Sequence, residues 1–179
     1  MPERTRLSSG VITLSLFRYS TPPIRQVVRH IKYRHAYTLA EQFGDICKKY
    51  AHDLAPLFPP DASVMVIPIP ISSKTKRTRG YNHTEIFARA IADAHRWDMR
   101  LDALKKIKHT PSQTTFHTKQ ERKNNIKNSI ALSDAFSPKG KTILLVDDVL
   151  TTGATLNECA RLLQNAGAKK IFGIVVAKG

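Results

Sequence analysis

The segment Ile143 to Thr155, ILLVDDVLTTGAT, constrains the fold more than any other stretch of this 179-residue chain. Its four consecutive apolar residues, Ile143 to Val146, predict a strand buried on both faces, as in the middle of a parallel sheet. That strand runs out at its carboxyl end into two adjacent aspartates, Asp147 and Asp148. A short Thr/Gly loop follows and opens a helix from about Ala154. Leu156, Cys159, Ala160 and Leu163 share one face of that helix, which ends at Gly167. In open α/β sheets, ligands sit in the crevice beyond the carboxyl ends of the strands. Two carboxylates placed there are acceptors for a vicinal diol. The backbone N–H groups of the loop and the hydroxyls of Thr151, Thr152 and Thr155 can surround one phosphate. Gly153 lets the backbone come close, and the helix that starts at Ala154 adds a favourable field. Diol acceptors beside a phosphate cradle match a ribose 5-phosphate. The plainer alternative is a strand-to-helix turn with a Thr cap and two solvated aspartates.

The rest of the chain supplies a frame for this segment. Val64 to Ile67 reads as a short buried strand stopped by Pro68 and Pro70, and SSKTKRTRGYN as a polar loop after it. Asn82 is an N-cap, with Glu85 three positions on reaching back. The helix it opens buries Ile86, Phe87, Ala90, Ile91, Ala94 and Trp97. Further strands are expected over Leu101 to Ile107, around Ser129 to Ser133, and over Ile171 to Ala177. Strand and helix alternate from Val64 onward, which predicts an α/β fold with a mostly parallel twisted sheet flanked by helices. Upstream, Leu14 to Tyr19 is a candidate strand. Pro22 opens a helix with Ile24, Val27, Val28 and Ile31 on one side. A second helix presents Leu39, Phe43, Ile46, Cys47 and Tyr50 before the break at LFPPD. Residues 1–60 are therefore read as a small helical hood and residues 61–179 as the core, together one compact unit. Lys108 to Asn128 is long, polar and basic, which suits a functional lid or a solvated segment.

Composition bounds the partners. No apolar run reaches the ~20 residues that cross a bilayer, and MPERTRLSSG lacks the apolar stretch of a signal peptide, so the expected location is the cytoplasm. Cys47 and Cys159 lie far apart on apolar helix faces and read as buried free thiols. The formal net charge is +15. Such an excess suits an anionic partner, a polyphosphate metabolite or nucleic acid, or else a solubilising surface.

The segment from Ile143 to Thr155 resembles the signature by which type I phosphoribosyltransferases bind 5-phosphoribosyl-1-diphosphate (PRPP). Other motifs resemble the ComF branch, named for late competence and DNA uptake in bacteria. These are SLFRY and IRQVVRHIKY near the start, IPIPIS followed by TRGYNH, and TPSQTTF with Arg122 and Asn125 after it. The likeness runs from about Leu16 to Lys178. It implies a type I phosphoribosyltransferase fold and PRPP as ligand, bound together with Mg²⁺. It also implies that Asp147 and Asp148 hold the ribose hydroxyls while Thr151, Thr152, Gly153, Ala154 and Thr155 hold the 5-phosphate. Ser72, Ser73 and Lys74 would take the pyrophosphate through N–H groups, hydroxyls and one ammonium. Arg79, Lys119 and Arg122 join the aspartates as candidate catalytic groups, the last two from a lid over the charged transition state. Gln113 and Asn125 read as structural hydrogen-bonders, and His83 receives no role. ComF proteins often begin with a cysteine-rich zinc module. No clustered Cys or His exists here, so no zinc site is expected. Whether the protein turns over PRPP, senses it, or binds single-stranded DNA in uptake stays open. So do the acceptor and the choice between monomer and homodimer.

Overall fold

The computed structural model describes residues 2–33, 36–51, 56, 58, 63–108, 126 and 128–179. A six-stranded sheet forms its centre, in the order β1-β2-β8-β7-β3-β4. These strands are β1 (Glu3–Arg6), β2 (Ile12–Arg18), β3 (Val64–Pro68), β4 (Asp98–Met99), β7 (Thr142–Leu150) and β8 (Lys170–Lys178). Every pairing is parallel except the β1–β2 hairpin at the edge. A separate antiparallel pair joins β5 (Leu104–Lys106) to β6 (Ile130–Leu132). The helices are α1 (Pro22–Tyr33), α2 (Tyr37–Ala51), α3 (Ser73–Arg79), α4 (His83–His95) and α5 (Ala154–Asn165). None of the described helices is long and apolar enough to cross a membrane.

The apolar run Ile143 to Val146 makes β7 a central strand, flanked by β3 and β8. Successive side chains of a strand point to opposite faces. Leu144 and Val146 accordingly pack with Val28, Ile31, Phe43 and Phe87, under α1, α2 and α4. Ile143 and Leu145 pack with Leu156, Cys159 and Leu163 of α5 on the other face. Both cysteines are buried and unpaired, one in each cluster.

Several boundaries differ from the sequence reading. The strand expected to stop at Val146 continues to Leu150, so Asp147 and Asp148 lie within β7 rather than beyond its end. SSKTKRTRGYN is not a loop, because seven of its residues form α3. The strand expected over Leu101 to Ile107 shrinks to Leu104–Lys106 and pairs outside the main sheet. Residue 60 is no boundary of the sheet: β1 and β2 are strands of it, while α1 and α2 cover one face. Edge strands β1 and β4 carry no apolar alternation and gave no sequence signal.

Candidate functional site

Alternation along β7 separates the two aspartates. Asp147 turns toward the α5 side and lines a small pocket with Thr151, Gly153, Ala154 and Thr155. Its Oδ1 accepts the N–H of Asp148 at 2.8 Å, and its other oxygen has no hydrogen-bond partner among the described residues. Asp148 turns toward α1 and α4 and is 7% exposed. Its Oδ2 accepts from His83 Nε2 at 2.5 Å and from Lys32 Nζ at 2.7 Å. Its Oδ1 accepts the N–H of Val149 at 2.6 Å. Adjacent positions in the sequence thus present one carboxylate to the loop and one to the helical layer.

The loop between β7 and α5 turns sharply at one glycine. Gly153 adopts φ +70°, and a Cβ there would meet Leu7 Cδ2 at 3.0 Å. The positive φ favours glycine, since L side chains avoid it, and Leu7 leaves a Cβ little room. Helix α5 makes its first bond from Asn157 N–H to Gly153 O at 2.8 Å. The amides before it have no helical acceptor and point out of the helix start. That of Ala154 donates to Thr152 Oγ1 at 3.4 Å. The turn of the β1–β2 hairpin braces the loop from outside: Ser9 N–H donates to Asn157 Oδ1 at 2.9 Å, and Gln164 Nε2 donates to Ser9 O at 3.2 Å. This brace was not foreseen from the sequence.

The segment after β3 lies at the same end of the sheet, because Ile69 N–H donates to Val146 O at 2.9 Å. Ser72 caps α3 through its Oγ, which accepts from Thr75 N–H at 3.1 Å. Ser73 and Lys74 are exposed at the first turn. Gly80, in the left-handed region at φ +84°, closes α3 at its other end. Asn82 caps α4 by accepting from Thr84 N–H, and its amide also donates to Ile69 O. Glu85 does not complete a capping box, contrary to expectation. Its carboxylate pairs instead with Lys76 at 3.2 Å, because α3 brings that ammonium alongside.

Arg79 reaches the centre indirectly, with Nη1 donating to His83 Nδ1 at 2.7 Å. An accepting Nδ1 leaves the proton on Nε2, which donates to Asp148. Burial pushes the His83 imidazole below its ordinary value, and Lys32 and Arg79 act in the same direction against the pull of Asp148. A neutral Nε2–H ring therefore satisfies the geometry and the electrostatics together. Burial also opposes the charge of Asp148, but Lys32 and His83 outweigh it and hold that carboxyl well below the usual carboxylate range. Burial, reinforced by the neighbouring Asp148 charge, raises Asp147 to about 7. Its hydrogen bond from the Asp148 N–H, then Lys32, then Lys106 offset part of that rise, and the Lys106 ammonium is itself pushed down by burial. Lys106 also forms a lone β-bridge with Ser72.

Of the residues singled out in the sequence, Asp147, Thr151, Gly153, Ala154 and Thr155 line one pocket, and Asp148 faces the other side of the sheet. Ser72, Ser73 and Lys74 stand at the same sheet end. Lys119, Arg122, Gln113 and Asn125 lie outside the described residues. Lys32, His83 and Lys106 were missed. The first belongs to a helix read only for its apolar stripe, and Lys106 to a strand read only for its apolar residues.

A parallel α/β sheet whose central strand delivers an acidic residue to a Gly-containing helix start defines the class of the type I phosphoribosyltransferase fold. A model of the phosphoribosyl transferase domain matches residues 78–179, and the chain belongs to that family. The similarity narrows further, to the ComF branch of phosphoribosyltransferase-like proteins. Competence protein F of Haemophilus influenzae is 36% identical over 114 residues, covering 59% of this chain and 46% of that protein. Competence protein ComFC of Bacillus subtilis is 31% identical over 114 residues, covering 60% of this chain and 41% of that protein. DNA utilization protein YhgH of Escherichia coli K12 is 26% identical over 155 residues, covering 84% of this chain and 65% of that protein. The chain thus spans between about two fifths and two thirds of the length of these relatives. Among solved structures, a hypoxanthine phosphoribosyltransferase from Staphylococcus aureus is similar at 16% identity and a TM-score of 0.47, covering 78% of this chain and 64% of that one. The fold assignment rests on the family match and the strand order, not on that distant likeness.

Proposed function

We propose that this chain binds PRPP, with the 5-phosphate in the loop Thr151 to Thr155 and the ribose hydroxyls on the acidic pair. One observation carries the reading: Asp147, with one carboxylate oxygen unpartnered among the described residues, lines a small pocket together with Thr151, Gly153, Ala154 and Thr155 at the start of α5. A carboxylate that accepts from a diol and a helix start that accepts a phosphate are the two ends of one ribose 5-phosphate. Ser72, Ser73 and Lys74 are the proposed pyrophosphate contacts, with Lys106 beside them. Lys119 and Arg122 are the proposed lid cations, and α1 with α2 the proposed hood.

No group of three or more His, Cys, Asp or Glu is assembled for a metal among the described residues. Such an ion would arrive on the oxygens of PRPP and be held by the ligand rather than by a protein cluster. Mg²⁺ held in that way would neutralise charge on the leaving pyrophosphate. The protein's part is to fix the sugar, exclude water and keep cations around the diphosphate. In a transfer reaction the ribose C1–O bond to pyrophosphate breaks and a bond from C1 to the acceptor forms.

Titration calorimetry with PRPP and Mg²⁺ tests the reading. Binding is expected, and Asp147→Ala together with Asp148→Ala abolishes it. Absence of heat at millimolar PRPP refutes it. A PRPP sensor without catalysis is distinguished by binding with no pyrophosphate release in an acceptor screen.

A second reading rests on the net charge of +15 and on the exposed cations Lys74, Lys76 and Arg77 of α3. It makes the chain a single-stranded-DNA-binding factor in DNA uptake, in keeping with relatives named for competence and for DNA utilization. Its test is DNA binding at low salt.

A further inference from the structure

The identical neighbours Asp147 and Asp148 have opposite surroundings, and the difference originates outside the matched domain. Lys32 stands on α1, 46 positions ahead of the residue at which the family match begins (78 − 32). It lays its ammonium 2.7 Å from Asp148 Oδ2, with the lysine side chain 26% exposed and the aspartate side chain 10%. His83 meets the same oxygen from α4, and Arg79 of α3 supports His83 from behind. Asp147 faces the opposite layer; Lys32, and then Lys106 of β5, act on its charge, and the Cys159 thiol of α5 senses it. Tyr33 and Tyr81 are the other titratable groups near the Lys32 and Arg79 cations.

We propose that Lys32 is a positioning residue for the acidic pair: together with His83 it holds the Asp148 carboxylate on the helical layer while Asp147 faces the loop that opens α5. Two adjacent carboxyls in a dry site do not both ionise easily, so the one that holds a cation takes the charge. Lys32 makes that choice from a helix of the hood. The site is thereby complete only when α1 is docked, and α1 docks by contacts other than Lys32. Ile31 and Val28 are buried at 1% and 3% exposure. Tyr81 Oη also donates to Ile31 O at 3.0 Å. Substituting Lys32 therefore removes the cation and keeps the helix.

The inference rests on the PRPP reading for its ligand, so its test has an arm that does not. Carboxyl ¹³C NMR of the full chain, labelled at aspartate, follows both groups against pH. Wild type is expected to show one carboxyl titrating near neutrality and its neighbour ionised throughout the folded range. Lys32→Met removes the cation from a buried carboxyl and raises the midpoint of Asp148, so that its protonation becomes visible as the pH falls. Lys32→Arg restores the low midpoint, and Lys48→Met, which removes an exposed cation of α2, changes neither. In the second arm, PRPP affinity is measured by calorimetry from pH 5.5 to 8.5. It rises with pH in wild type, and its midpoint moves upward in Lys32→Met. An Asp148 titration unaltered by Lys32→Met overturns the proposal, as does PRPP binding whose pH profile is the same in both proteins. If wild type fails to bind PRPP, the proposed function falls, and the carboxyl titration still decides the role of Lys32.

Discussion

Asp147 and Asp148 are one chemical group at two faces of one strand, and their proton affinities part accordingly. The folded carboxyl of Asp147 lies at about 7, against an ordinary value of 3.8. A raised folded value gives a contribution to stability that is full below 3.8 and lost as the pH rises through about 7. Asp147→Asn is therefore expected to remove this loss and to stabilise the fold by about 1–2 kcal/mol at pH 8, with little effect at pH 4. Asp148 behaves in the opposite sense. Its lowered value contributes stability above the ordinary carboxylate range, lost as the pH falls below it. Asp148→Asn strands the charge of Lys32, and a cost of about 3 kcal/mol at neutral pH is expected. Urea unfolding of the two variants at pH 4, 6 and 8 checks both signs; parallel curves for the two would contradict the assignment. At this scale the sequence named both residues as site groups. It could not say that they differ, because identity and spacing are the same for either face.

Elements were legible where burial wrote a pattern. The stripe of α5 and the apolar run of β7 appear as read, to within a few residues at the ends. Helix α3 was not legible, since none of its seven residues is buried and no stripe marks it. Its ends define it instead: Ser72 satisfies the first turn, and Gly80 takes the left-handed conformation that stops the helix. Removing the cap by Ser72→Ala is expected to cost about 1 kcal/mol, measured as a shift of the urea midpoint. The same variant is expected to weaken PRPP binding, because α3 holds Ser73 and Lys74 at the end of β3. An unchanged PRPP affinity would remove Ser72 to Lys74 from the proposed site.

Across the whole molecule, charge and chain order act together. Strands from the two termini lie side by side, Leu14 of β2 against Ile174 of β8, so the N-terminal hairpin reaches the loop that opens α5. The net charge of +15 surrounds this frame, with Lys74, Lys76 and Arg77 exposed on α3. If α3 contacts single-stranded DNA with these three cations, log–log plots of affinity against salt should steepen by a slope of about 2 on their account. Fluorescence anisotropy with a labelled oligonucleotide between 20 and 200 mM salt measures it. The triple alanine variant should lose that part of the slope, and an unaltered slope would assign DNA binding to another face.

The sequence by itself determined the α/β class, the central strand, the start of α5 and the Asp/Thr/Gly chemistry at the sheet end. Those features depend on neighbours a few positions away, through periodicity, capping and glycine's access to positive φ. Tertiary structure alone decided the strand order, the brace from Ser9 to Asn157 across 148 positions, and the bond from His83 to Asp148 across 65. It also decided which aspartate faces the loop from Thr151 to Thr155. The pleat of β7 sends adjacent side chains to opposite layers, and only packing sets which layer holds Lys32 and which holds the open pocket.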